Sequence, residues 1–506
     1  MLEEHQFSEQ KSLKRLARNC IVFSLAAHLL CAWFINWIYH PDQLFQILEF
    51  GGYKLGIIPA KDLAWEFSAR LRPAIQPAAV YFIAKISGTS FNPVLTTLLL
   101  RFIAAIIGWI SLTFLTLIAL NWVKDYQAKR FLLYCYACLW FLPYLHANFS
   151  SESLSGSLFF AGAGCAWMAK NRDNKNWLPG CGLLIGLAFV CRYQTGFMIA
   201  GLISWCIFIQ KFSFKKIVYI FIPAALTVLL GVLLDRWFYG EWVNTAWNYL
   251  KVNLVDGKAN SFGVFPWWQY FVWSFYNLVL PFSIIIIAGT MYAITRFPKN
   301  IIVISVIPYI FIHLIISHKE PRFMFPLVDA VPVLLALSYA QLKTVFDKKR
   351  NLTLWLQNIF VIANLAMIGV VVFKPQTDPY DLYEVIHDKY WDSKAVMYCS
   401  NDQPYSFIGM VTQFYKPSDF NFYTSLNKGN IDSIMSHTKT GHRPVLVFFD
   451  REKDELSFTS RHPEAKLIYT AIPTWMYYLN INNWISRTIK LSLYQMPDKN
   501  SKVSHI

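Results

Sequence analysis

The sequence predicts an all-α polytopic membrane protein with a small extramembrane α/β domain at its C-terminal end. Of the 506 residues, 55% are hydrophobic and 15% are charged, and the mean hydropathy is +0.35. Apolar stretches long enough to cross a bilayer recur from Leu16 to Phe373. Residues 374–506 differ, with polar turns and short strand-like runs. We therefore expect a membrane domain over 1–373 and a separate domain over 374–506.

The apolar stretches predict about eleven transmembrane helices. They lie near 17–38, 92–122, 128–144, 153–169, 177–191, 193–210, 216–235, 269–293, 301–316, 323–342 and 352–373. The net charge of +16 comes largely from lysines and arginines in short loops between these stretches. Such loops stay on the cytoplasmic side. The basic charge therefore indicates membrane topology, with lipid as the surrounding partner, and does not point to nucleic acid.

This topology places four features on the same non-cytoplasmic face. They are the first loop at 39–77, the loop at 237–269, the turn at 318–322 and the C-terminal domain. Buried strands are expected in that domain at Ala395–Cys399, Pro444–Phe449 and Leu467–Thr470. Because ionisable side chains beside a membrane are expensive, the charged members of this face are candidate functional residues.

The sequence of the first loop predicts two amphipathic helices that lie along the membrane surface. One follows His40 and Pro41, and it places Asp42 close to the bilayer but within reach of water. The position of Asp42 fits a helix N-cap and also fits a catalytic acid, and the two roles are compatible. The second helix is expected around Trp65, where Glu66 and Arg70 stand four residues apart and can pair.

The turn from Ser317 to Phe323 concentrates charge between two long apolar runs. One interpretation is a cluster of side chains that reach the membrane interface. The other is an anion site, in which Arg322 grips two phosphate oxygens and Lys319 adds a compact positive charge. In that site Glu320 would orient the cations, and His318 would donate to the same anion.

The loop after the seventh predicted span is rich in aromatic and amide side chains. Asp235 stands at the end of that span, and Asn248 and Asn253 lie in the loop. This mixture suits a sugar, whose faces pack on rings and whose hydroxyl groups need hydrogen-bond partners. An aromatic belt at the membrane interface would have the same composition. Arg192, between two short apolar runs, is either an interfacial side chain or a second phosphate ligand.

Several common motifs are absent from the sequence. It contains no Walker loop, no G-x-G-x-x-G motif followed by a helix and no H-E-x-x-H zinc motif. It also lacks the D-x-D carboxylate pair that holds a metal and a sugar nucleotide. We therefore predict no metal site and name no cofactor. If the chain transfers sugars, the expected donor is a lipid phosphate met from the non-cytoplasmic side.

The turn resembles a signature of a known family. His-Lys-Glu-Pro-Arg-Phe at 318–323 is similar to the His-Lys-Glu-x-Arg-Phe motif of the Alg9-like mannosyltransferases, glycosyltransferase family 22. With proline at the variable position, it is most similar to the members that act in GPI-anchor synthesis. His40-Pro41-Asp42 resembles the first-loop Pro-Asp-Glu motif of the family, but Gln43 stands where the second acid is usual. The resemblance covers roughly 20–345.

The resemblance implies a GT-C fold, a catalytic acid in the first loop and a polyprenyl-phosphate sugar donor, typically dolichyl phosphate mannose. It assigns catalysis to Asp42. From the charges of the side chains, we assign phosphate binding to His318, Lys319, Arg322 and Arg192, and orientation to Glu320 and Glu66. Trp65, Asp235, Asn248 and Asn253 would contact the sugar or the acceptor.

The expected reaction is an inverting transfer of mannose to a glycolipid or glycan acceptor on the periplasmic or luminal face. One base takes the proton of the acceptor hydroxyl group while the lipid phosphate leaves. A transporter or flippase for a lipid-linked sugar is the alternative, although internal repeats are expected there. A non-catalytic subunit of a glycan assembly complex is a third interpretation. The membrane is bacterial or that of the endoplasmic reticulum, and the short loops favour the bacterial one.

Overall fold

The computed structural model describes residues 2–35, 40–88, 91–373, 379–407, 409–424, 431–432, 435 and 443–497. The chain forms two compact units. The first comprises 1–35, 64–83 and 98–372, and the second comprises 36–63, 84–97 and 373–506. The predicted first loop at 39–77 is thus divided between the two units.

The first unit is helical. The α-helices that lie wholly or mostly in it are Leu2–Phe34, Trp65–Ser68, Ile75–Ile86, Pro93–Ala119, Tyr126–Cys138, Phe141–His146, Ser151–Asn171, Trp177–Cys191, Gly196–Ser204, Phe214–Tyr239, Thr245–Leu250, Gln269–Asn277, Phe282–Arg296, Ile301–Ile315, Val331–Gln341, Lys343–Lys348 and Arg350–Phe373. Its 3₁₀ helices are Tyr193–Thr195, Lys258–Phe262 and Pro321–Ala330, and its π-helices are Trp205–Ile209 and Lys251–Val255. The predicted polytopic α-helical membrane domain is confirmed.

Within the described residues, five helices are long and apolar enough to cross a membrane. They are Phe7–Phe34, Pro93–Ala119, Phe214–Tyr239, Pro321–Gln341 and Arg350–Phe373. A sixth candidate is the pair Phe282–Arg296 and Ile301–Ile315, which is bent by 111°. Three shorter apolar helices add to these. Each of the predicted spans contains helix, and the total of eleven crossings stays a prediction because several of these helices are shorter than the bilayer core.

Prolines interrupt three of the predicted spans. The span at 128–144 breaks after Cys138, where the ring of Pro143 would clash with the carbonyl four residues earlier. The span at 269–293 breaks ahead of Phe282, because the residue before Pro281 is disfavoured in a helix. The span at 323–342 starts as a 3₁₀ helix, Pro321–Ala330, with Pro326 inside it.

The second unit contains an α/β domain, as predicted. Its strands are β1 (Val396–Cys399), β2 (Ser406–Phe407), β3 (Met410–Val411), β4 (Asn421–Thr424), β5 (Val445–Phe449), β6 (Lys466–Thr470) and β7 (Ser492–Gln495). The main sheet has the order β4-β1-β5-β7-β6, in which β1 pairs in parallel with β4 and β5. The helices Tyr380–Tyr390 and Glu452–Arg461 accompany it. Aromatic side chains such as Tyr398, Phe449 and Phe458 fill the core.

The start of the first loop packs within this second unit. A short helix at Pro41–Gln43 continues as a π-helix at Leu44–Leu48 and an α-helix at Glu49–Leu55, as predicted for the first amphipathic helix. The buried carboxylate of Glu49 accepts hydrogen bonds from Thr412 Oγ1 (2.7 Å) and from the backbone N–H groups of Gln413 (2.8 Å) and Phe414 (3.0 Å). This helix and the C-terminal domain are therefore joined by three bonds to one side chain.

The second amphipathic helix is shorter than expected. Only Trp65–Ser68 is α-helical, after a 3₁₀ turn at Ala60–Asp62. Arg70 takes a left-handed backbone conformation with φ of 53°, so the expected pairing with Glu66 along a continuous helix is wrong. Arg70 Nε instead donates to Glu241 Oε1 at 2.8 Å.

Candidate functional site

Lys319 caps the helix that precedes the charged turn. The helix Ile301–Ile315 ends there, and its last carbonyl groups have no partner within the helix. The Lys319 ammonium group donates to the carbonyl oxygens of His313 (3.2 Å), Leu314 (3.0 Å) and Ile316. Burial lowers the pKa of this amine. All three of its hydrogens are thus engaged by the backbone, which argues against the expected role of Lys319 as a phosphate ligand.

Arg322 lies between two carboxylates. Its Nε donates to Glu320 Oε2 at 2.6 Å, and its Nη1 donates to Glu152 Oε1 at 3.2 Å. Because Glu320 belongs to the same turn and Glu152 to the helix Ser151–Asn171, the guanidinium group is held from two elements. The expected orienting role of Glu320 agrees with this geometry.

Arg192 joins the same cluster. Its Nη1 donates to Glu152 Oε1 at 2.7 Å and to Ser151 Oγ at 3.3 Å. Only 5% of the residue is exposed, and Phe323 lies under its guanidinium group at 5.2 Å. In the described part of the chain, Nε and Nη2 of Arg192 have no hydrogen-bond partner. An arginine held at a membrane surface would keep these groups in water, so the buried position favours a ligand-binding role.

Glu152 is the residue that sequence reasoning missed. One of its oxygens accepts hydrogen bonds from both Arg192 and Arg322, and it is 3% exposed. The available signal was an acidic residue at the outer start of a predicted span, on the same side of the membrane as the charged turn. Nothing in the sequence spacing links position 152 to position 192 or 322.

His318 is held by two acceptors. Its Nδ1 faces the carbonyl oxygen of Gly263 at 2.9 Å, and its Nε2 faces Glu320 Oε1 at 3.0 Å. A carbonyl and a carboxylate can only accept, so both ring nitrogens must carry a proton and the ring is an imidazolium. The hydrogen bond with Glu320 accordingly raises the pKa of His318, against the opposing effect of burial.

The charges of the cluster sum to a positive site. We refer to Glu152, Arg192, His318, Glu320 and Arg322 as the arginine cluster. Its three cations and two carboxylates leave one net positive charge. Unpaired donor nitrogens and a net positive charge in a buried site suit a phosphate group.

Close backbone contact fixes the helix that carries Arg322. Gly156 lies one turn after Glu152, and a Cβ at this position would approach the Pro326 carbonyl oxygen to 2.6 Å. The Tyr309 hydroxyl group donates to the Phe323 carbonyl at 2.7 Å. The two elements that carry Glu152 and Arg322 are thus held in register.

Aromatic rings extend from the arginine cluster. Phe262 lies against His318, with ring centroids 6.2 Å apart, and stacks with Trp65 at 6.3 Å. Both Trp65 and Phe262 are exposed, and Lys258 lies over the Trp65 ring at 5.5 Å. Trp65, expected to contact a sugar, is therefore brought to the edge of the cluster.

Asp235 is part of the internal framework. Its Oδ1 accepts from the Ala74 N–H at 2.7 Å, and its Oδ2 accepts from Thr245 Oγ1 at 2.6 Å. Thr245 is in turn 2.5 Å from the Tyr193 hydroxyl group. Because both oxygens of the buried Asp235 are engaged, the geometry supports a structural role and gives no support to the expected sugar contact.

The two asparagines of this loop also bond to the backbone. Asn248 Nδ2 donates to the Arg70 carbonyl at 3.3 Å, and Asn253 Nδ2 donates to the Tyr249 carbonyl at 3.0 Å. Each side chain is thereby fixed through its amide nitrogen, and the expected contact with sugar or acceptor stays a prediction.

Asp42 lies in the second compact unit. It occupies the first turn of the helix Pro41–Gln43, while His40 provides the N-cap by accepting from the Asp42 N–H at 3.2 Å. The N-cap interpretation of Asp42 is therefore wrong. Its Oδ1 is 3.5 Å from His40 Nδ1. Glu66, expected to orient the site, is buried in the first unit. Across the described ranges, no three histidine, cysteine or acidic side chains are grouped to hold a metal.

Comparison with known proteins gives a consistent result. A sequence profile of the Alg9-like mannosyltransferase family matches residues 20–422. The chain is 24% identical to human GPI alpha-1,2-mannosyltransferase 3 over 369 residues, which cover 70% of this chain and 64% of the human protein. It is 26% identical to mannosyltransferase APTG1 of Arabidopsis thaliana over 350 residues, covering 64% and 59%. The chain thus aligns with less than two thirds of the length of these relatives.

A solved structure shares the fold. The crystal structure of ArnT from Cupriavidus metallidurans, bound to undecaprenyl phosphate, superimposes with a TM-score of 0.51. The match covers 93% of this chain and 97% of ArnT, at 11% sequence identity. The expected GT-C fold is confirmed.

Proposed function

The chain belongs to the Alg9-like mannosyltransferase family, and from this premise we propose that it is an inverting membrane mannosyltransferase. The donor is a mannose linked to a polyprenyl phosphate, of the dolichyl-phosphate-mannose type, and the acceptor is a glycolipid or glycan. The reaction takes place on the non-cytoplasmic face, and a bacterial plasma membrane is the favoured location.

The observation that carries this proposal is the incomplete bonding of Arg192. A buried guanidinium group with two unpartnered nitrogens among the described residues is costly, and a phosphate would supply the missing acceptors. Arg322, whose Nη1 shares Glu152 with Arg192, presents a second cation to the same anion. Undecaprenyl phosphate, the ligand in the ArnT crystal structure, offers the same headgroup chemistry.

The chemistry needs one base and one stabilised leaving group. Asp42 takes the proton of the acceptor hydroxyl group, whose oxygen attacks the anomeric carbon of mannose as the bond to phosphate breaks. The phosphate leaves with the electron pair, and its growing negative charge is stabilised by Arg192, Arg322 and the His318 imidazolium. Glu152 and Glu320 hold these cations in place. Trp65 and Phe262 offer ring faces to a sugar.

A binding experiment with Arg192→Lys tests the donor site. The protein in lipid nanodiscs is titrated with polyprenyl phosphate, and the variant is expected to bind about tenfold more weakly, because lysine lacks the planar fork. Arg172→Lys, at an exposed arginine, is the matched control and should bind like the wild type. Equal binding by Arg192→Lys and the wild type would contradict this donor site.

A transfer assay tests the reaction itself. The wild-type protein is offered polyprenyl-phosphate mannose and candidate glycolipid acceptors, and the product linkage is determined. A new glycosidic bond with inverted configuration is expected. Movement of the lipid-linked sugar across vesicles without a new bond would instead identify a transporter.

A further inference from the structure

Three buried ionisable side chains outside the arginine cluster form one hydrogen-bonded chain. His28 Nδ1 lies 2.7 Å from the Ser24 carbonyl oxygen, and His28 Nε2 lies 3.0 Å from His146 Nδ1. His146 Nε2 lies 2.7 Å from Asp329 Oδ1. Each of the three side chains is 1% exposed. Ionisable groups buried this deeply in a membrane domain require a reason.

The chain connects elements that are far apart in sequence. His28 belongs to the helix Leu2–Phe34, His146 to the helix Phe141–His146 and Asp329 to the 3₁₀ helix Pro321–Ala330. A fourth helix, Pro93–Ala119, contributes Gly108, where a Cβ would overlap the His146 ring. The two imidazole rings stack with centroids 5.2 Å apart. The lack of a side chain at Gly108 thus leaves room for the His146 ring.

Counting protons shows that the chain is neutral. The Ser24 carbonyl can only accept, so His28 Nδ1 carries a proton and the three hydrogen bonds need three protons in total. Two neutral imidazoles supply two of them, and the third makes Asp329 an uncharged acid or gives an ion pair with His146. Asp329 Oδ2 has no hydrogen-bond partner among the described residues. Either arrangement keeps all three hydrogen bonds and leaves the chain without net charge.

The helix that carries Arg322 needs external support. A 3₁₀ helix rarely exceeds four residues, because its hydrogen bonds are poorly aligned, whereas Pro321–Ala330 has ten. Pro326 removes one of its backbone donors. Near its start, Tyr309 bonds to Phe323. Near its end, the hydrogen bond between Asp329 and His146 holds the helix in the same way.

We propose that His28, His146 and Asp329 form a neutral hydrogen-bonded clamp that holds the 3₁₀ helix Pro321–Ala330, so that Arg322 is positioned for the phosphate of the donor. His146 and Asp329 are positioning residues and do not touch the substrate. The clamp shares its protons and transfers none during the reaction. This inference rests on the proposed function of the arginine cluster.

Two substitutions at one position separate positioning from proton transfer. In Asp329→Asn, the amide N–H can supply the third proton of the hydrogen-bonded chain, so donor KM and kcat should stay within about twofold of the wild type. In Asp329→Leu, which keeps the branch at Cγ but cannot form a hydrogen bond, the bond is lost and donor KM should rise about tenfold, with the acceptor KM unchanged. Loss of turnover in Asp329→Asn would show that the chain moves protons and would overturn the clamp.

A double-mutant cycle tests whether Asp329 acts through Arg322. Arg322→Lys alone should raise the donor KM. If the clamp works through Arg322, adding Asp329→Leu should raise it little further, because the group being positioned is already changed. Multiplicative effects on donor KM would overturn the proposal. If Asp329→Leu does not insert, the same cycle is run with Gly108→Ala, which displaces the His146 ring and keeps every charge.

The outcomes for the clamp and for the proposed function are distinct. If the wild-type protein forms no mannosidic bond, the proposed function fails. If the wild type is active and the leucine variant has an unchanged donor KM, only the clamp fails.

Discussion

His318 is an imidazolium because its two neighbours can only accept hydrogen bonds. The Gly263 carbonyl faces one ring nitrogen and the Glu320 carboxylate faces the other. The Glu320 hydrogen bond raises the pKa of His318 above its ordinary value of 6.5. The stability contributed by this pair is therefore complete below pH 6.5 and is lost as the pH rises through the raised value.

Glu320→Gln should shift the pH profile of the enzyme. Without the carboxylate, the pKa of His318 falls back, so the alkaline decrease in kcat/KM for the donor should move to lower pH. The profile is measured from pH 5 to 10 on purified protein, with Glu241→Gln as the control, since Glu241 is exposed and pairs with Arg70. An unchanged alkaline limb in Glu320→Gln would show that His318 does not contribute as an imidazolium.

The ion pairs of Glu152 could not be predicted from the sequence. On charge alone, both the turn at 318–323 and Arg192 fit either an interfacial position or an anion site. The structure favours the ligand role for Arg192, through a carboxylate that lies 40 residues before it and 170 residues before Arg322. Hydrophobic periodicity predicts local secondary structure. It does not predict which side chains of different helices form ion pairs.

The 3₁₀ helix Pro321–Ala330 is the element that positions Arg322. Apolar composition predicts a span over 323–342, and a helical segment long and apolar enough to cross a membrane is found at Pro321–Gln341. The tighter first half was not foreseen, although the prolines at 321, 326 and 332 point to it, because each removes a backbone donor. Its packing against Gly156 depends on tertiary contact and could not be predicted.

Gly156→Ala should damage both stability and donor use. The added methyl group would press on the Pro326 backbone, and overpacking of this kind costs about 1–3 kcal/mol. We expect a lower melting temperature and a higher donor KM. Gly369→Ala is the matched control, because Gly369 also lies in a helix and has open space around its Cα. If both variants behave alike, the close approach of the two elements is not important.

At the level of the whole chain, the helix that follows Asp42 belongs to the same compact unit as the C-terminal domain. The charge of the loops predicts that the two lie on one face of the membrane. Nothing in the sequence indicates that Glu49 binds the loop at 412–414. Glu49 lies in an amphipathic helix, and a charged residue there is expected on the exposed face. Burial raises the pKa of Glu49, and its three hydrogen bonds oppose that shift.

Glu49→Ala should loosen the C-terminal domain. It leaves the Thr412 hydroxyl group and the N–H groups of Gln413 and Phe414 without their acceptor, at a cost of about 2–3 kcal/mol. We expect faster hydrogen exchange at 412–414, measured by mass spectrometry. Glu464→Ala, at an exposed position, serves as the control. Unchanged exchange at 412–414 would remove the assigned role of Glu49.

The central claim is that the protein forms a mannosidic bond with Asp42 as the base, and one kinetic comparison tests it most directly. Wild-type protein, Asp42→Asn and Asp62→Asn are assayed in lipid with polyprenyl-phosphate mannose and the accepted glycolipid. Asp62 is an exposed acid of the same loop. Asp42→Asn should lose about 10²–10⁴-fold in kcat while its melting temperature and donor binding stay normal, and Asp62→Asn should stay active. Turnover by Asp42→Asn close to that of the wild type would contradict the account.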